Sequence, residues 1–331
     1  MDDHGDFAPK GTHRQYSSHQ HHHDHGESVL AQRHVSEEVL SRPFAGRLGG
    51  NQAFTLSKDD PDYDEKRRST PDAATSLSWR ESFDLRAFRD GELWTQAVFE
   101  GWATSMLVWT SGLLGLTFSS ATPDFASGPL FPTLLGALGN TISLMLFIFT
   151  AGPVSGGHLN PLITIGTFCA RLATFPRTVL YVLFQLTGAT IAAFLIRATL
   201  GDRIPGVVPG CYIDPSLVSP GEAVILETMS CLTLLFLACG LGLDPRQRTV
   251  YSPALPPVLI GLALGLCTLA TGAVKPGYTG AAMNPARCFG FMAAERRWDL
   301  HWVHWVGVFI AGVVNGVFYW AIPPSRKRKM L

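Results

Sequence analysis

The sequence predicts an all-α membrane protein, with six transmembrane helices and two half-length helices arranged as an inverted repeat. Three observations predict it. The 331 residues are 47% hydrophobic and only 16% charged, against roughly 25% charge in a soluble domain. Six apolar stretches, at 93–118, 130–152, 178–199, 221–243, 253–274 and 301–322, approach the ~20 residues that cross a bilayer. Two shorter ones, 160–171 and 284–294, each begin at an Asn-Pro and are about half long enough to cross.

Residues 1–90 carry most of the charge, the run "HQHHHDHGE" and no sustained apolar periodicity, the composition of a largely disordered tail. Its last part, "SWRESFDLRAFRDGELW", suits an amphipathic helix leading into the bilayer. The first apolar run is too long for a signal core, so no signal peptide is expected. The membrane-spanning part is expected over 91–323, followed by a basic tail at 324–331.

The six spans repeat in two sets of three. Glu100 lies in the first span and Asn160 follows 60 residues on; Glu227 lies in the fourth and Asn284 follows 57 residues on. Three spans per half is odd, so the halves cross the membrane in opposite senses and their broken segments meet near the midplane. Lys and Arg mark the cytosolic side. They crowd into "DPRQR" (244–248), "SRKRKM" (325–330), Arg171 and Arg177, while 119–129 has none and 200–220 only Arg203. Both termini are therefore expected in the cytosol.

Each Asn-Pro obeys the local rules for starting a helix. Asn is a good N-cap, and Pro suits the first helical position because its missing N–H would be unpaired there. Pro161 and Pro285 should each open a half-helix after an extended stretch whose carbonyls face a lumen, since irregular backbone at membrane depth must line a cavity or be buried. The two N-termini then bring partial positive charge to mid-membrane.

This constellation over residues 92–322 resembles the major intrinsic protein family, the aquaporins and aquaglyceroporins, whose right-handed bundle and homotetrameric assembly are implied with it. The motifs "NPL" (Asn160, Pro161, Leu162) and "NPARC" (Asn284, Pro285, Ala286, Arg287, Cys288) are similar to those of the X intrinsic protein subfamily of fungi and some plants. The resemblance implies that Asn160 and Asn284 offer amide donors to a passing solute, with His158, Pro161, Leu162, Pro285 and Ala286 in the pore motifs. It implies that Glu100, Glu227 and Gln185 support the pore loops. Leu162 departs from the family's Ala and puts local geometry in question. Counting from the two Asn without gaps sets the outer constriction at Asn140, Gly272, Ala281 and Arg287, or Gly139 and Thr271 if a span slips by one residue. Water-strict relatives place aromatic and His side chains at the first two positions. Asn and Gly there imply a wider pore for glycerol, urea, hydrogen peroxide and metalloid acids, with water, and exclusion of protons and ions. The alternative is a strict water channel.

Other classes are weighed on the same residues. A coupled transporter also uses broken helices but needs ionisable groups for coupling, and Glu100 and Glu227 resemble structural acceptors. A membrane enzyme needs a lumenal nucleophile or metal cluster, and none is evident, so no catalytic residue, cofactor or metal is assigned. Net charge is zero, which gives no sign of nucleic-acid binding. His-rich tails such as 21–25 bind metals weakly and without specificity. "RRSTP" (67–71) is either a chance match or a kinase site at Ser69 or Thr70. The six cysteines lack metal-ligand spacing; Cys211, in an outer loop, is a free thiol, a subunit contact or without function. A plasma-membrane location is expected.

Overall fold

The computed structural model describes residues 43–49, 55–56, 60–75, 77–120, 130–201, 210–244, 252 and 254–322. The His-rich run and the basic stretches 245–248 and 325–330 lie outside them. Two short helices precede the bundle, α1 (Tyr63–Ser69) and α2 (Trp79–Ser82). The first repeat is α3 (Gly91–Ser120), α4 (Leu130–Ser155), the half-helix α5 (Pro161–Cys169) and α6 (Phe175–Leu200). The second is α7 (Pro220–Ala238), α8 (Leu255–Thr271), the half-helix α9 (Pro285–Glu295) and α10 (Trp302–Ala321). A single π-helical turn, Cys239–Leu243, extends α7. The expected spans and half-helices thus all form, with ends shifted by a few residues. Among the described residues, four long helices are apolar enough by themselves to cross a bilayer: α4, α6, α7 with its π turn, and α10. The 30-residue α3 and 17-residue α8 complete the six, α8 lying at the short end of the spanning range.

Packing follows the repeat. α3 packs on α6 as α7 packs on α10, α4 and α8 pack on each other, and each half-helix leans on the last span of the opposite repeat, α5 on α10 and α9 on α6. Small residues permit the close crossings, as membrane helix pairs require. A Cβ at Gly188 of α6 would lie 2.0 Å from the carbonyl oxygen of Gly101 in α3, and one at Gly290 of α9 would lie 2.4 Å from that of Ala189.

Three segments within the expected tail make specific contacts. Phe44 to Gly49 are buried, and Arg47 is 0% exposed. The turn at 70–74 is pinned by the buried pair of Asp72 with Arg177 at the start of α6, 2.7 Å apart, and Arg177 also reaches Gln96 Oε1 at 2.6 Å. In α2, Ser78 and Glu81 form a capping box, Glu81 takes both Nε and Nη2 of Arg67 at 3.1 Å, and Trp79 and Phe83 lie edge-on to Phe168. Composition misses these contacts because they need a few specific residues rather than an apolar face.

Candidate functional site

The two Asn-Pro segments fold as mirror devices. Leu159 and Met283, each preceding its Asn, adopt left-handed backbone with φ of 54° and 49°. This turns the chain back so that the next residue can cap a helix. Asn160 Oδ1 accepts from Leu162 N at 2.8 Å, and Asn284 Oδ1 from Arg287 N at 3.2 Å. The amide nitrogens cross over. Asn160 Nδ2 donates to Met283 O at 2.7 Å, and Asn284 Nδ2 to Leu159 O at 3.1 Å. Each amide therefore ties one N–H to the opposite loop. Both Asn residues line the central cavity, where the second N–H of each can meet a solute.

The buried carboxyls hold these loops. Glu100 accepts from Leu159 N, from Ser155 Oγ at 2.5 Å and from Gln185 Nε2 at 3.0 Å. Glu227 accepts from Met283 N at 2.7 Å, Ala282 N at 3.0 Å and Tyr278 Oη at 3.3 Å, with His304 Nδ1 3.3 Å away. Left-handed loops expose backbone N–H groups that no helix or sheet satisfies, and burying them unpaired would be costly. The carboxyl oxygens resolve that.

The cavity has a volume of about 840 Å³. Asn140, His158, Gly272, Ala281 and Arg287 all border it, whereas Pro161, Leu162, Pro285 and Ala286 do not. These last four are buried, because the Asn cap fixes the helix phase and turns the first two helical positions into the core. Leu162 is 0% exposed within the main apolar cluster, so its bulk acts on packing rather than on the lumen.

The four positions counted for the constriction share the cavity wall with further side chains. Asn140 Nδ2 reaches Thr268 Oγ1 at 3.3 Å, one turn before Gly272. The space a Cβ at Gly272 would take is held by Thr133, whose Cγ2 would be 2.7 Å away. Thr133 also lines the cavity. It was missed because the count named one residue per helix; its signal is the spacing of seven from Asn140, two turns along the same face.

Arg287 stands on the first turn of α9, its guanidinium carbon 5.5 Å from the Phe291 ring centroid and its Nη1 3.1 Å from Cys211 Sγ. That sulfur is not a free thiol. Cys211 is disulfide-bonded to Cys288 with a Cα separation of 5.1 Å, fastening the 210–214 loop to α9 beside Arg287. No sequence spacing announced a pair 77 residues apart. Among the described residues, no group of three or more His, Cys, Asp or Glu is placed to hold a metal.

Comparison with known proteins agrees with this geometry. The family model described as "Major intrinsic protein" matches residues 87–319. Aquaporin TIP1-1 of Zea mays is 32% identical over 219 residues, which is 66% of this chain and 82% of that protein. Probable aquaporin TIP4-2 of Oryza sativa subsp. japonica is 40% identical over 171 residues, covering 51% of this chain and 63% of that protein. The X-ray structure of the aquaglyceroporin from Plasmodium falciparum superposes with a TM-score of 0.53 at 21% identity, over 68% of this chain and 95% of its own; this likeness speaks to the fold. With crossed Asn-Pro half-helices around one lumen and a family match over most of its length, the chain belongs to the major intrinsic protein family and is a membrane channel, not an enzyme.

Proposed function

We propose that the channel passes small uncharged solutes (glycerol, urea, hydrogen peroxide and metalloid acids) together with water, and excludes protons and ions. The observation that carries this reading is the make-up of the cavity wall around Arg287. Gly272, Ala281, Thr133, Asn140 and Thr268 line it, offering hydroxyl and amide groups without aromatic bulk at the two counted helix positions. Selectivity in such pores reduces to diameter, lining donors and electrostatic barriers. The Arg287 cation and the two half-helix N-termini oppose cations, and the remaining Asn N–H groups serve a neutral solute.

Ion-coupled transport fits less well, because Glu100 and Glu227 already accept loop N–H groups. The "NPL" and "NPARC" motifs favour the X intrinsic protein subfamily. Homotetrameric assembly rests on the family resemblance. The Cys211–Cys288 disulfide favours a non-cytosolic outer face, which agrees with cytosolic termini and a plasma-membrane location. Ser69 is exposed at the end of α1 while Thr70 is buried, so Ser69 is the candidate for a kinase.

The test is a solute panel on purified protein in proteoliposomes, comparing wild type with Asn140→Phe. Glycerol flux should fall more steeply than water flux in the variant. Water conduction by the wild type with no glycerol, urea or peroxide flux would replace this reading with the strict water channel.

A further inference from the structure

Residues 43–49 pack against the end of α4 and against His158, and Leu48 borders the cavity. Arg47 Nη1 donates to Gly152 O at 2.7 Å and Pro153 O at 2.5 Å. Leu48 N donates to Gly156 O at 2.9 Å. Gly152 O and Pro153 O are carbonyls at the end of α4, and Gly156 O opens the stretch leading into Asn160. Gly46 O lies 2.8 Å from His158 Nε2. A carbonyl can only accept, so Nε2 carries the proton and Nδ1 accepts from Thr164 Oγ1, 3.1 Å away.

Apolar contacts hold the same segment. Leu48 is 1% exposed, joins the main apolar cluster and forms part of the cavity wall with Ile148 and His158. It sits against the π turn, where a Cβ on Gly242 would meet Leu48 Cδ2 at 3.3 Å. Gly49 backs onto α4, a Cβ there meeting Gly152 Cα at 3.1 Å. Phe44 packs on His158 with centroids 5.6 Å apart, under the Arg177 guanidinium at 4.0 Å. A second tether runs from Ala45 N to Asp72 O at 2.7 Å, and Asp72 is itself held by Arg177. Burial lowers the Arg47 pKa to about 10, which leaves it cationic at neutral pH.

We infer that residues 43–49 are an autoinhibitory strap that shuts the inner mouth in this conformation, and that conduction requires its withdrawal. The inference rests on the channel reading above. The segment contributes almost no regular structure, yet it ties up the Gly152, Pro153 and Gly156 carbonyls and sets one leucine on the cavity wall. A segment held by a handful of hydrogen bonds and by the packing of Phe44, Ala45 and Leu48 can leave without unfolding the bundle, whose helices pack on one another without it.

The experiment replaces residues 51–54 with a protease site in the full-length chain, so that folding occurs with the strap in place. Cutting, followed by removal of the N-terminal fragment, precedes reconstitution, and water and glycerol flux are read per channel. Flux should rise on the order of tenfold, as expected for moving a mostly closed equilibrium to open. A peptide of residues 42–50, "RPFAGRLGG", should reverse the rise. Uncut Arg47→Ala, lacking both carbonyl contacts, should show a rise in the same direction and guards against damage from cutting. Equal flux from cut and uncut channels, with Arg47→Ala also unchanged, overturns the strap while leaving the channel reading intact. No flux of any solute or water from either form overturns the channel reading, and the strap with it.

Discussion

Glu227→Gln tests whether a buried carboxyl holds the second pore loop. In the structure its two oxygens divide the work: Oε1 accepts from Met283 N at 2.7 Å, Oε2 from Ala282 N at 3.0 Å and from Tyr278 Oη at 3.3 Å. Glutamine keeps one acceptor oxygen and presents an NH₂ where the other stood. At least one backbone N–H then loses its acceptor and faces a donor. An orphaned buried donor costs about 1–3 kcal/mol, and placing it against a second donor adds to that, so a total of about 2–4 kcal/mol is expected. For a channel domain of this size each kcal/mol moves the thermal midpoint by roughly 2–4 °C, giving a fall of roughly 5–15 °C. The displaced loop carries Ala281 and the Asn284 cap, so flux should fall as well. Thermal unfolding in detergent and proteoliposome flux, both at matched protein amount, are the measurements. A midpoint within 2 °C of wild type together with unchanged flux would show that the loop does not depend on this carboxyl.

Three further outcomes follow from the site. Asn160→Asp sets a carboxylate oxygen 2.7 Å from Met283 O, where Nδ2 now donates; neutral-solute flux should drop and cation current appear, and normal flux with no current at equal surface abundance would contradict the assignment. Cys288→Ser opens the bridge to Cys211, and chain-entropy reasoning for a loop of that length gives a loss of up to about 4 kcal/mol; an unchanged thermal midpoint in the variant and in reduced wild type would remove the bridge from the account. Gly188→Val forces side-chain atoms into the Gly101 carbonyl, an overpacking cost of about 1–3 kcal/mol or more, read as a lower midpoint with unchanged solute preference in any folded fraction.

What the sequence revealed tracks how local the cause is. The half-helices were legible because Asn-cap and Pro at the first position act within two residues, and the structure repeats them at Asn160 and Asn284. The roles of Glu100 and Glu227 were legible through the family resemblance, which implied that they support the pore loops, and the hydrogen bonds follow that pattern. The disulfide was not, since Cys211 and Cys288 meet only when the 210–214 loop folds over α9. Thr133 was hidden by helix phase: counting back from an Asn fixes sequence distance, not which side chain fills the space beside Gly272. The segment at 43–49 was hidden by composition, because it binds through backbone groups and one arginine and so has no periodicity to read.

The two ends of the lumen differ in a way the repeat makes visible. Three residues after Asn284 stands Arg287; three residues after Asn160 stands Ile163, and both border the cavity. One half-helix therefore brings a cation to its mouth and the other an apolar side chain. Near the Ile163 end the cation is Arg47, buried behind the cavity wall on a segment outside both repeats and bonded to the carbonyls of Gly152 and Pro153 at the end of α4. The outer arginine is fixed in place: it is built on a helix whose next residue is cross-linked to Cys211. The inner arginine is held by hydrogen bonds on a segment without regular structure. A filter must hold its width to discriminate between solutes, while a closure must be able to leave. The covalent fastening at one mouth and the non-covalent seating at the other match those two demands, which is what the proposed filter at the Arg287 end and the proposed strap beside Arg47 require.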